Sequence, residues 1–121
     1  MRWFYPEGRR EASIWPQAGK SSVLCHTHDE SGKLICPLCS AAARVLGGNG
    51  LLKGRRYVCS GDLWETVTDG EYVDAPVVED KNLISGKGLG HAFDFALTLS
   101  ARLLGDEAPV RDHADHIYYR W

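Results

Sequence analysis

One cysteine stands at the junction between two different kinds of sequence. Residues 34–38 form a short apolar run that has the length of a buried strand. Cys39 follows, and small, helix-favouring residues come directly after it. A nucleophile between a strand and a helix is the layout of a nucleophile elbow. The N–H groups that begin a helix can stabilise a thiolate and an oxyanion. The pattern therefore predicts that Cys39 is a nucleophile, with an inert core cysteine as the alternative.

The same stretch also overlaps a set of four potential zinc ligands. Cys25 and His28 form one pair, and Cys36 and Cys39 form another, each with two residues between its members. Cysteine and histidine at such spacing are typical of structural zinc sites, and Pro37 favours a tight knuckle. However, only seven residues separate the two pairs, which is shorter than in most zinc fingers. A small zinc-binding module is therefore a rival hypothesis.

Length and composition limit the classes of protein that are possible. The chain has 121 residues, enough for one small domain, and a formal charge of −2. This charge gives no reason to expect nucleic acid or an anionic membrane as a partner. We find neither an apolar run of membrane-spanning length nor the apolar core of a signal peptide. We therefore expect a cytoplasmic protein with reduced cysteines.

Strands and helices are predicted to alternate along the chain. Helical segments are expected near residues 21–29, after Cys39 as far as residue 46, and over residues 91–104, where Gly105 ends the apolar stripe. Short strands are expected at residues 34–38, 56–59, 71–73, 76–79 and 82–85. This alternation predicts an α/β fold. Residues 112–121 are expected to be an exposed tail in which His113 and His116 are solvated.

Six segments together resemble the C-terminal half of the ThiJ/PfpI family. They occur in the family's order between residues 24 and 105: HDESGK at 28–33, the Cys39 elbow, GLLKGRR at 50–56, EYVDAPVV at 71–78, NLIS at 82–85 and GLGHAFDFAL at 88–97. The resemblance implies a truncated flavodoxin-like sandwich, of the class I glutamine-amidotransferase type, and a homo-oligomer. It implies activity on a small reactive carbonyl or glycated substrate, as a glyoxalase, deglycase or related hydrolase, without a cofactor.

The resemblance also implies roles for individual residues. Cys39 falls on the family's reactive cysteine, and the backbone N–H of Ser40 falls where an oxyanion donor is expected. Ser60 occupies the second catalytic position, which is often histidine in the family, but a serine cannot act as a base near neutral pH. Lys87 stands in place of the family's usual arginine, and Leu89 in place of its proline.

Two parts of the family's site have no counterpart in this sequence. They are the acidic partner of the cysteine and a loop of the form Gly-Gly-x-Pro-Gly. We therefore expect a partial domain at residues 21–121, preceded by a segment of unclear origin at residues 1–20. Truncation would impair catalysis, so a non-catalytic, partner-binding or chaperone-like remnant is the main alternative. In the family's fold, the segment between the two zinc-like pairs would hold those pairs apart, which makes zinc less favoured.

Overall fold

A computed structural model describes residues 19–121, which form a mixed α/β structure. Within these residues, the α-helices are α1 (Gly19–Glu30), α2 (Ala92–Leu104) and α3 (Ala108–His116). The strands of the described residues are β1 (Arg56–Tyr57), β2 (Glu71–Tyr72), β3 (Val77–Asp80) and β4 (Leu83–Gly86). A π-helical turn spans Ala42–Leu46, and 3-10 turns span Gly47–Asn49, Leu63–Thr66 and Leu89–His91. No helix within residues 19–121 has both the length and the apolar character needed to cross a lipid bilayer.

The strands pair as two short ladders. β1 and β2 are parallel, with Tyr57 opposite Tyr72. β3 and β4 are antiparallel, with Val78 opposite Ser85. All four strands lie within two residues of the bounds that the sequence predicts, because turn residues separate short β-branched and aromatic runs.

The expected strand at residues 34–38 is reduced to two isolated parallel bridges beside β4, at Ile35 and Leu38. The backbone hydrogen bonds of Ile35 follow the regular parallel pattern. Its N–H donates to the Asn82 carbonyl at 2.8 Å, and its carbonyl accepts from the Ile84 N–H at 2.9 Å. Pro37 accepts a bond from Gly86 at 3.0 Å, but it has no N–H to return to β4. The proline therefore removes one bond from the ladder two residues before Cys39, and the pairing resumes at Leu38.

The main core is formed by apolar side chains from residues 35–59 and from β4. Its buried members are Ile35, Ala42, Ala43, Leu46, Leu51, Leu52, Tyr57, Cys59 and Leu83. A second, smaller cluster joins Leu97 of α2 to Val110 and Ala114 of α3. Of the predicted apolar stripe on α2, Leu97 is buried and Ala101 packs against this second cluster. Phe93 and Leu104 of the same stripe are exposed.

The expectation of an exposed tail is wrong for part of residues 112–121. Pro109 stands in the first turn of α3, where a proline is well tolerated because its missing N–H has no helical acceptor. Val110 and Ala114 are four residues apart, so they share one helix face, and both are buried. His113 and His116 are exposed, as expected.

Candidate functional site

Cys39 lies at a sharp backbone turn between the β4-paired segment and a helical segment. Its φ is +62°, a left-handed conformation that is uncommon for a residue with a side chain. Two backbone hydrogen bonds hold it there: its N–H donates to Gly86 at 2.9 Å, and its carbonyl accepts from the N–H of Ser60 at 3.2 Å. Cys39 is partly buried. This is the geometry of the predicted elbow, in which a strained turn presents the side chain.

The helical segment after Cys39 begins at Ser40. The carbonyl of Ser40 accepts the first backbone hydrogen bond of this segment, from the N–H of Arg44 at 2.9 Å. The segment is a π-helical turn followed by a 3-10 turn, so the expectation of a regular helix is wrong in type though right in place. Within residues 19–121, the N–H of Ser40 has no hydrogen-bond acceptor. It is therefore available to a ligand beside Cys39.

Ser60 reaches the site through its backbone. Its N–H is bonded to the carbonyl of Cys39, while its hydroxyl makes no hydrogen bond within the part of the chain that the structure describes. The thiol of Cys39 likewise has no hydrogen-bond partner among residues 19–121. The structure thus brings the backbones of Cys39, Ser40 and Ser60 together, without a side-chain dyad.

The zinc arrangement does not form. Among residues 19–121, no three histidine, cysteine, aspartate or glutamate side chains are grouped closely enough to hold a metal ion. Cys25 lies on α1, whereas Cys36 lies on the segment beside β4, and together they line two small clefts of about 140 and 180 Å³. Cys39 lines neither cleft. Burial raises the pKa of the Cys25 and Cys36 thiols.

The fourth cysteine lies next to the site. Cys59 is fully buried and directly precedes Ser60. Burial raises the pKa of its thiol, a hydrogen bond from the backbone N–H of Trp64 acts in the opposite direction, and the nearby Cys39 raises the pKa further. Sequence reasoning assigned Cys59 no role. Its proximity to Cys39 depends on a contact between loops, which no local pattern reveals.

A buried ion pair supports the segment that carries Cys39. Arg55 is only 5% exposed, and its Nη1 lies 2.8 Å from Asp29 Oδ1 and 2.7 Å from Asn82 Oδ1. Asn82 in turn donates to the carbonyl of Lys33 at 2.9 Å. This Arg55 network ties the end of α1, the start of the elbow segment and β4 together. In the sequence, Arg55 is marked only as part of the GLLKGRR segment, because a single arginine carries no signal of burial.

Comparisons with known proteins agree with this architecture. A family model described as the DJ-1/PfpI family matches residues 8–102. Protein dj-1beta of Drosophila melanogaster is 35% identical over 94 residues, covering 74% of this chain and 50% of that protein. The glutathione-independent glyoxalase DJR-1.2 of Caenorhabditis elegans is 36% identical over 86 residues, covering 69% of this chain and 45% of that protein.

Solved structures show the same fold. A cysteine-to-alanine mutant of a DJ-1 superfamily protein from Salmonella typhimurium is 79% identical, with a TM-score of 0.79, and the match covers 79% of this chain and 52% of that one. Drosophila melanogaster DJ-1beta matches with a TM-score of 0.82 at 27% identity, covering 96% of this chain and 62% of that one. The chain spans less than two thirds of the length of these relatives. On the family match, which extends over most of its length, the chain belongs to the DJ-1/PfpI family.

Proposed function

We propose that Cys39 is a nucleophile towards small reactive carbonyls, in a reaction of the glyoxalase or deglycase type. The observation that carries this proposal is the left-handed turn at Cys39, followed by a Ser40 N–H that has no acceptor within residues 19–121. The name of the Caenorhabditis elegans relative, a glyoxalase, supports the choice of substrate class.

The first step forms one bond. The thiolate of Cys39 attacks the aldehyde carbon of a 2-oxoaldehyde such as methylglyoxal, and the π electrons of the carbonyl move onto its oxygen. The N–H of Ser40 donates a hydrogen bond to this oxyanion. Proton uptake by the oxygen then gives a hemithioacetal.

The later steps need proton transfer, and Ser60 is poorly suited to it because a serine hydroxyl is not a base near neutral pH. The Cys39 thiol has no hydrogen-bond partner among residues 19–121. We therefore expect this 121-residue chain to turn over methylglyoxal more slowly than about 1 per second, the low end of ordinary enzymes. Ser60→His alone is expected not to restore the rate.

The test is selective protection of one thiol. Iodoacetamide is added with and without methylglyoxal, and labelling is mapped by peptide mass spectrometry. Cys39 is expected to be labelled first and to be protected by methylglyoxal, since hemithioacetal formation removes the thiolate. Cys25 and Cys36 serve as matched controls that are also partly buried. Faster labelling or stronger protection of either control thiol would overturn the proposal.

A second candidate function, partner binding without catalysis, is favoured by the exposed apolar surface of α2. Phe93 is 59% exposed, Leu103 69% and Leu104 63%. Large apolar side chains that cluster on a surface mark interaction sites. Uniformly slow alkylation of all four thiols, together with stable self-association, would favour this function over the carbonyl chemistry.

A further inference from the structure

Cys59 and Cys39 are neighbours in space although twenty positions separate them in the sequence. The bond of 3.2 Å between the Ser60 N–H and the Cys39 carbonyl places the two backbones side by side. Backbones bonded in this way lie about 5 Å apart, and disulfides join Cα atoms about 4.4–6.8 Å apart. The backbone spacing is therefore compatible with a bond between the two sulfur atoms.

The two thiols differ in environment. Cys39 is partly exposed at a strained turn, so it can meet a soluble oxidant. Cys59 has no exposed surface and packs in the main core with Ala42 and Ala43, close to the elbow. Burial raises the pKa of the Cys59 thiol, although the Trp64 N–H acts in the opposite direction, so Cys59 is protonated and shielded until the oxidised Cys39 sulfur lies beside it. Cys39 is thus placed to be oxidised, and Cys59 is placed to attack the oxidised Cys39 sulfur.

We propose that Cys59 is a resolving cysteine, which captures an oxidised Cys39 as a reversible disulfide. In the first step, the Cys39 thiolate attacks a hydroperoxide. A sulfur–oxygen bond forms and the peroxide bond breaks, which gives the sulfenic acid of Cys39 and an alkoxide or hydroxide; this leaving group takes up a proton from solvent to become an alcohol or water. In the second step, the Cys59 thiol gives up its proton and its sulfur attacks the Cys39 sulfur; the disulfide bond forms, the sulfur–oxygen bond breaks, and the hydroxide that leaves takes up the proton to become water.

The consequence is regulation of the proposed carbonyl site. The disulfide removes the Cys39 nucleophile while the oxidant lasts, and it prevents irreversible oxidation to the sulfinic acid. A thiol reductant then restores Cys39. This inference rests on the proposed function only in taking Cys39 as the reactive thiol, and it needs no carbonyl substrate.

Cys25 and Cys36 are the competing pair. They line the same two clefts, and both are partly exposed. However, Cys25 is on a helix and Cys36 is on an extended segment, and no backbone hydrogen bond joins them. The experiment must therefore identify which two cysteines are joined.

The test treats the reduced full chain with hydrogen peroxide, without any carbonyl compound, and follows intact mass and disulfide-linked peptides. The expected product has lost two hydrogen atoms, contains a Cys39–Cys59 link and returns to the starting mass with dithiothreitol. The double variant Cys25→Ala, Cys36→Ala is expected to form the same link. In Cys59→Ala, Cys39 is expected to accumulate sulfinic acid about tenfold faster than in the wild type, because an intramolecular thiol no longer competes.

Two results would overturn the proposal. One is a wild-type disulfide that maps to Cys25 and Cys36. The other is sulfinic acid at Cys39 that forms equally fast with and without Cys59. Cys59→Ser, which keeps a hydrogen-bonding atom near Trp64, replaces the alanine variant if that variant does not fold. If methylglyoxal fails to protect Cys39 but the link forms, the carbonyl function fails and the cysteine pair stands.

Discussion

Asp29→Asn is expected to remove much of the chain's stability, because it leaves the Arg55 charge buried without its counter-charge. The Asp29 side chain is 9% exposed and that of Arg55 is 6% exposed. Breaking a buried ion pair in this way costs about 3–5 kcal/mol. Asparagine can still accept one hydrogen bond, so we expect the free energy of unfolding to fall by about 3 kcal/mol. With a denaturant dependence near 1.5 kcal/mol per molar urea, the unfolding midpoint falls by about 2 M.

The pH dependence gives an independent measure of the same pair. Burial by itself would raise the pKa of Asp29, but hydrogen bonds from Lys53, Asn82 and Arg55 outweigh it and hold the pKa well below its usual range. A lowered pKa means that the carboxylate stabilises the fold fully above the unfolded value of about 3.9. This contribution is lost as the pH falls from there towards the folded value.

Urea unfolding followed by tryptophan fluorescence at pH 7 and at pH 3 measures both effects. The difference between the wild type and Asp29→Asn should be large at pH 7 and smaller at pH 3. Glu107→Gln is the matched control, because its pair with Arg111 is more than half exposed on both sides and such pairs contribute about 0–1 kcal/mol. An Asp29→Asn effect no larger than that of Glu107→Gln, or one independent of pH, would refute the reasoning.

Three further predictions concern packing, buried hydrogen bonding and association. Gly86→Ala is expected to destabilise the fold by about 1–3 kcal/mol, since the new Cβ would lie 2.7 Å from Leu38 Cδ1. Gly88→Ala, whose Cβ would have no atom within 4 Å, should be neutral, and equal melting temperatures for the two variants would contradict this. Ser85→Ala should cost about 1–3 kcal/mol in urea unfolding, because the buried Ser85 Oγ accepts from the Val58 N–H at 2.9 Å; an unchanged midpoint would count against it. Light scattering at low micromolar concentration should show a dimer or larger species, given the exposed leucines that end α2, and a monodisperse monomer of 13.4 kDa would disprove it.

The sequence predicts the local elements well because their signals are local. β3 and β4 each begin with two apolar residues and are separated by a turn. Gly105 ends α2 in a left-handed conformation, with φ at +69°. The elbow was also predictable, since a short apolar run, a cysteine and a row of alanines are neighbours in the chain. These patterns did not predict the interruption at Pro37. Proline fits the apolar strand pattern there, but it has no N–H to donate to the neighbouring strand.

Long-range features were not predictable. The burial of Arg55 depends on Asp29 and Asn82, which lie 26 and 27 positions away from it. The proximity of Cys59 to Cys39 depends on one backbone bond between two loops. The rival zinc hypothesis rested on the regular spacing of Cys25 and His28, and within residues 19–121 the fold does not assemble these residues with Cys39. Spacing along a chain fixes distances only within one element.

The Arg55 network has a consequence for the speed of folding. The Asn82 side chain bonds to Asp29 at 2.8 Å across 53 positions, and Ile35 pairs with Leu83 across a similar span. Closing a loop of this length costs conformational entropy before any contact between its ends compensates for it. Parallel pairings between distant segments are accordingly slow to form. Helices α2 and α3, joined by a short connection, can associate early, whereas the elbow takes its shape only when the distant segments have met.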